Sequence, residues 1–213
     1  MKKTLTTAAL LLFFLSAIAF AWLKTSHEMK KTSTTHARKK EIDHSALSIK
    51  LQTKAGEAKV FISKANYNPA FCFLIDMSLP SGEDRFFVYD FSNDSILLQG
   101  LVAHGSCDRG FQLSPTFSNK KDCGCSSIGK YKIGGSYKGR FGLSYKLYGL
   151  DSSNSNAFER SIVLHGYDCV PEQADHSPIC NSRGCPMVAP GFLQKLKPMI
   201  TTSKKPILLW IFE

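Results

Sequence analysis

Residues 70–103 read AFCFLIDMSLPSGEDRFFVYDFSNDSILLQGLVA, three short apolar runs cut by Pro80-Ser81-Gly82 and Ser92-Asn93-Asp94. Runs of five to eight residues rich in Phe, Val, Ile and Tyr, punctuated by turn formers, predict β-strands over Phe71–Met77, Arg85–Phe91 and Ile96–Ala103. Outward from this stretch the same pattern continues. Strands are predicted over Gly129–Ile133, Leu143–Leu150, Ser161–Gly166 and Ile207–Phe212, with further turns at Gly134-Gly135 and Ser152-Ser153-Asn154. The domain from residue 70 to 213 is therefore mainly β. A short helix beginning at Pro190 and running to Met199 precedes the last strand, with proline at a position where an amide donor is not needed.

Upstream the pattern changes. Ala46, Leu47, Ile49, Leu51, Ala55, Ala58, Val60 and Phe61 form an imperfect helical stripe within residues 43–69, and Asn66-Tyr67-Asn68-Pro69 supplies the stop. Residues 22–42 are polar and basic, a spacer. Residues 1–21 carry Lys2 and Lys3, an apolar run and Ala19-Phe20-Ala21, the layout of a secretory signal. The uncharged stretch also continues through Trp22 and Leu23, close to the ~20 residues that span a bilayer, so an uncleaved anchor stays open. Either way the chain is expected to be exported to the periplasm or cell envelope.

The chain of 213 residues has a formal net charge of +10, or +8 without Lys2 and Lys3. An exported basic protein meets anionic envelope polymers or membrane surfaces rather than nucleic acid. Much of the excess sits in Lys30, Lys31, Arg38, Lys39 and Lys40, where a solvated tail explains it equally well. Seven cysteines, an odd count, leave at least one thiol unpaired in an oxidising compartment. Cys123-Gly124-Cys125 lacks the spacing of a zinc knuckle, and no cofactor or metal is called for. Cys72, inside an apolar run, reads as a small buried hydrophobe.

The chemistry concentrates in His165-Gly166 and Asn181-Ser182-Arg183-Gly184-Cys185-Pro186. Acyl transfer by a thiol needs a base to deprotonate it and N–H donors where the oxyanion forms. His165 ends an apolar strand, a rigid mount for an imidazole. Cys185 follows a glycine, so amides around Gly184 and Cys185 can approach a carbonyl. A surface His165 with Cys185 in a disulfide is the structural alternative. Order narrows the choice. Papain-like peptidases place cysteine before histidine, and sortases need an arginine several residues after the cysteine, where this chain has Pro186, Met187, Val188 and Ala189.

His-Gly, a loop and Ser-x-Gly-Cys resemble the murein L,D-transpeptidase catalytic domain family, of YkuD-like fold. The likeness extends over Val102-Ala103-His104-Gly105, Phe117-Ser118-Asn119, Ser126 to Tyr131, Gly139 to Gly149, Asn156-Ala157 with Arg160, and Gly184-Cys185-Pro186. The resemblance implies mixed sheets or a sandwich, and a two-step reaction on peptidoglycan stem peptides. Cys185 would form an acyl-enzyme with a donor peptide, activated by His165, and an amine of a neighbouring stem would resolve it into a 3-3 cross-link. With water as acceptor the same dyad is an L,D-carboxypeptidase or a hydrolase of 3-3 links; a binding module that has lost activity is disfavoured by retention of His165 and Cys185. Better-known members carry His before Gly-Cys and Arg after it, so the role of that arginine does not transfer. Arg183 is the candidate substitute, Ser182 a candidate for orienting His165, and Gly184 a candidate oxyanion donor. His104 and Gly166 are possible substrate-side residues, a structural role for His104 being the alternative. Cys169 and Cys180 fall in the loop between base and nucleophile, where a disulfide would tie it down. Cys185 is then expected as the free, reactive thiol.

Overall fold

The structure is a computed structural model that describes residues 45–213; the expected signal or anchor and the basic spacer lie outside the described residues. The chain divides into two compact units between Lys50 and Leu51, and the second, Leu51–Glu213, holds the whole sheet. Among the described residues no helix is long and apolar enough to cross a membrane.

Helix α1 covers 45–63 and ends ahead of Asn66. Its buried face is Leu51, Ala55, Ala58 and Ile62, a spacing of four, three and four that keeps one side of a 3.6-residue helix inward. Ile49 and Val60, counted in the expected stripe, fall off that face and are 63% and 56% exposed. Lys54 from this helix lies with Nζ 4.7 Å from the Trp210 ring centroid.

Nine strands follow: β1 Phe71–Asp76, β2 Phe86–Asp90, β3 Ser95–Gly100, β4 Val102–Ala103, β5 Gly129–Gly139, β6 Gly142–Gly149, β7 Val163–Gly166, β8 Met187–Val188 and β9 Leu208–Phe212. Helix α2, Pro190–Thr202, lies between β8 and β9 and runs three residues past the expected end at Met199. The strands form one sheet in the order β3-β2-β1-β9-β5-β6-β7-β8-β4, mostly antiparallel, with parallel pairs β1–β9 and β7–β8. Edge strands β3 and β4 are separated in the chain by Leu101 alone. Since neighbouring Cα atoms are about 3.8 Å apart, the two ends of the sheet must meet, so the sheet curls around its core. That core includes Phe73, Phe86, Tyr131, Leu147, Leu164, Leu196 and Leu209, each completely or almost completely buried.

Three expectations needed correction. The run Ile96–Ala103 is two strands, broken at Leu101. Gly134-Gly135 is not a turn but part of β5, at a register shift between Ile133 and Ser136. A Cβ on Gly134 would come within 2.4 Å of Tyr148 Cε2, so the glycine is what lets the Tyr148 ring lie across β5. The reversal comes instead after Gly139, where Gly139 pairs with Gly142 around Arg140-Phe141, and Gly142 takes a positive φ of 73°, the conformation of a glycine that follows the turn residues in a G1 bulge. Strand β8 was not foreseen, and it carries the segment that follows Cys185.

Candidate active site

Strand β7 sets the site. Its period-two alternation buries Leu164 in the core and turns Val163 and His165 to the opposite face. The parallel pairing His165–Met187 places Cys185, two residues before Met187, beside the start of β7. There the Val163 amide donates to Cys185 Sγ at 3.4 Å, and the thiol faces the Ser161 carbonyl at 3.8 Å. Ser161 adopts a left-handed φ of 56°, directing its carbonyl toward the sulfur. Cys185 and Cys123 are half-buried and free, and Cys72 is free and fully buried. Burial pushes its thiol up from the ordinary value, opposed by the Val163 amide and the positive charge of Arg160.

His165 is 2% exposed. The Phe141 ring stacks on it at 4.4 Å and 17°, and Ser144 lies opposite on β6. Its Nδ1 is 3.1 Å from the Gly166 carbonyl, a partner that accepts only, so the proton sits on Nδ1 and Nε2 keeps its lone pair. Burial lowers the pKa of this imidazole, with the Gly166 carbonyl opposing. Burial thus disfavours the charged form of both side chains.

The remaining expected residues take other positions. Ser182 Oγ donates to the Cys185 carbonyl at 2.7 Å and accepts the Gly184 amide at 3.1 Å, so it shapes the turn before Cys185, and the carbonyl that faces His165 Nδ1 is that of Gly166. With its amide committed to Ser182, Gly184 contributes conformation rather than an oxyanion donor. Its φ is 109°, and an added Cβ would lie 2.6 Å from the Cys125 carbonyl. Arg183 is exposed and pairs with Asp108 at 3.2 Å, away from the sulfur. Gly166 packs toward α2, where a Cβ would meet Pro190 Cα at 3.2 Å, and it also lines a surface pocket with Phe141 and Tyr167.

His104 is likewise internal. It is fully buried; its Nδ1 accepts from Arg85 Nη2 at 2.9 Å and its other side meets the Gln112 backbone and Asn181 Nδ2, the latter at 3.2 Å. Arg85, also fully buried, donates to the Val102 carbonyl at 2.9 Å and the Leu79 carbonyl at 3.1 Å. Burial and the Arg85 charge lower His104 to about 4, so it is neutral. Its carbonyl accepts the Ser182 amide at 2.8 Å, which ties this buried network to the nucleophile turn.

Arg160 is the residue that sequence reasoning passed over as a functional group, although Asn156-Ala157 with Arg160 marks its position. Its guanidinium donates to the Ser118 carbonyl at 2.9 Å and to Cys123 Sγ at 3.4 Å, and also to Ser127 Oγ and the Cys125 carbonyl. The Cys125 carbonyl is the one against which Gly184 packs. Arg160 therefore braces the Cys185 turn and supplies the nearby positive charge. Disulfides Cys107–Cys125 and Cys169–Cys180 hold the two flanking loops, the second as expected. Among the described residues no three His, Cys, Asp or Glu side chains are grouped to hold a metal ion.

Fold and site together define a curled β-sheet domain that presents a histidine on β7 and a cysteine in the turn leading into the parallel strand β8. The chain belongs to the L,D-transpeptidase catalytic domain family, whose model matches residues 29–212. The family acts on peptidoglycan stem peptides. No curated protein sequence matches the chain. Solved structures similar to it include the helical cell shape determining protein Pgp2 (K307A mutant) from Campylobacter jejuni, at 13% identity and TM-score 0.46, covering 68% of this chain and 47% of that one. An L,D-transpeptidase from Xylanimonas cellulosilytica is 10% identical with TM-score 0.41, covering 68% and 65%. One from Mycobacterium smegmatis is 9% identical with TM-score 0.40, covering 68% and 59%. The chain thus spans about half to two thirds of the length of these proteins.

Proposed function

We propose that the protein is an exported cysteine L,D-transpeptidase that forms 3-3 cross-links between peptidoglycan stems. The observation that carries this reading is the position of Cys185 Sγ against the Val163 amide, two residues along β7 from an imidazole whose Nδ1 is held by the Gly166 carbonyl. In the first step His165 Nε2 takes the Cys185 proton as sulfur attacks the carbonyl of the third stem residue. The Cys185 amide receives the oxyanion. The bond to the terminal D-alanine breaks, and the imidazolium returns the proton to the leaving amine. In the second step the side-chain amine of a neighbouring stem attacks the thioester, its proton passes to His165, and an amide forms as the thiol reforms.

The test is incubation of the full chain with purified disaccharide tetrapeptide, with products resolved by mass. The expected product is a cross-linked dimer less one D-alanine. Tripeptide alone would assign the chain as an L,D-carboxypeptidase. Turnover retained by Cys185→Ala or His165→Ala would refute the dyad.

A further inference from the structure

The face of the sheet that carries His165 continues well beyond the dyad. Across the ladder Tyr137 pairs with Ser144, which pairs with His165, so the three share one face, and Tyr137 lies two strand spacings, about 10 Å, from the histidine. On the same face Lys146 pairs with Val163, and Lys132 pairs with Tyr148. The turn ending at Ser161, whose carbonyl faces the nucleophile, lifts Phe158 over this surface, where it stacks on Tyr148 at 5.0 Å and 11°.

Two properties coincide here. The first is exposed aromatic surface: Tyr137 is 41% and Phe158 51% exposed. The second is positive charge. Lys146 Nζ sits between the two rings, 6.0 Å from Tyr137 and 5.9 Å from Phe158, and Lys132 Nζ is 4.7 Å from the Tyr148 ring. Beyond Tyr148 the surface opens into a groove of 440 Å³ between bare Gly134-Gly135 and the α2–β9 connection, with Lys204 and Lys205 on its wall. The lining of this groove includes no acidic side chain.

We propose that this face is a binding track for a glycan strand of the cell wall with its anionic stem peptides, running from the dyad over Tyr137, Phe158 and Tyr148 to Lys204 and Lys205. The proposal rests on the function proposed above and names where its polymeric substrate lies. Pyranose C–H groups carry partial positive charge and pack on the negative faces of Phe158 and Tyr137. Carboxylates borne by the polymer and its peptides meet Lys146, Lys132 and the groove lysines. A second copy of this chain is the wrong occupant, because it brings a like-charged surface.

Binding of the full chain to purified insoluble murein, by co-sedimentation, tests the idea without requiring turnover. One variant, Tyr137→Ala with Phe158→Ala, removes the aromatic surface, and a second, Lys132→Gln, Lys204→Gln and Lys205→Gln, removes charge. All five positions are on the surface, and unchanged thermal melting confirms folding; Lys146→Gln is a milder third variant. Each multiple variant is expected to weaken binding about tenfold, and the loss in the charge variant is expected to shrink as salt is raised. Unchanged binding in both overturns the proposal. So does equal binding to a polyglutamate chain, which would reveal a charge sink, or a concentration-dependent dimer of the parent that the variants abolish. Binding as expected without cross-linking of the bound murein would instead refute the proposed function and leave the track standing.

Discussion

Acidification should loosen the molecule through His104 before it titrates any surface carboxylate. The imidazole sits against the buried Arg85 guanidinium, 2.9 Å from Nη2, and its pKa falls from the ordinary 6.5 to about 4. In the unfolded chain the same group titrates near ~6.5. As pH falls through the window from 6.5 to about 4, the unfolded state takes up a proton that the folded state refuses, so stability falls with pH; below that window both states hold the proton and this group adds no further slope. At about 1.36 kcal/mol per pKa unit, the whole shift is worth about 3 kcal/mol. Urea unfolding at a series of pH values between about 7 and about 4.5 measures it, in wild type and in His104→Gln, whose amide can still accept from Arg85 and donate to Gln112. His165, also depressed by burial, contributes in the same direction to both proteins and cancels in the comparison. The wild type should lose about 2 to 3 kcal/mol more than the variant across that range. Parallel curves would refute the reasoning.

Arg160→Gln should slow alkylation of Cys185 by iodoacetamide and move its pH profile to higher pH, since the guanidinium charge favours the thiolate; a profile that does not move would limit Arg160 to bracing. Gly149→Ala should destabilise the fold by about 3 kcal/mol or more, because the new Cβ would lie 1.9 Å from the Asn154 carbonyl, and thermal melting reads the loss. Replacing Cys169 and Cys180 by serine opens a loop with a sequence separation of 11, which chain entropy values at about 3 kcal/mol, and a melting temperature within a degree or so of wild type would contradict that estimate.

Most strands were legible because their cores are uninterrupted apolar runs. Phe71–Asp76 and Leu208–Phe212 lie within a residue of their expected limits, as does Gly142–Gly149. Strand β8 is only Met187–Val188, too short to generate a periodic signal, and its pairing depends on β7 and β4 arriving from elsewhere. Gly134-Gly135 misled because a glycine pair marks a turn by default, whereas here the requirement is clearance beneath Tyr148. In the candidate site, His165 and Cys185 stood out through local context. Arg160 and Phe141 did not, because their roles arise from loops and a hairpin tip brought in by the curled sheet. The commitment of the Gly184 amide to Ser182 is a matter of angstroms that no residue pattern encodes.

Strand β9 has a consequence for how the molecule assembles. It pairs with β1 on one side and β5 on the other, so residues 208–212 are the sole ladder joining β3-β2-β1 to the strands that carry His165 and Cys185. Phe73 meets Leu209 across more than half the chain, a contact of very high sequence separation. Chain closure of that kind is slow, and neither half of the sheet can lock until it occurs. A protease cut in the connection at 203–206 should therefore free β9 from the rest of the chain and leave β1 and β5 without the strand that joins them.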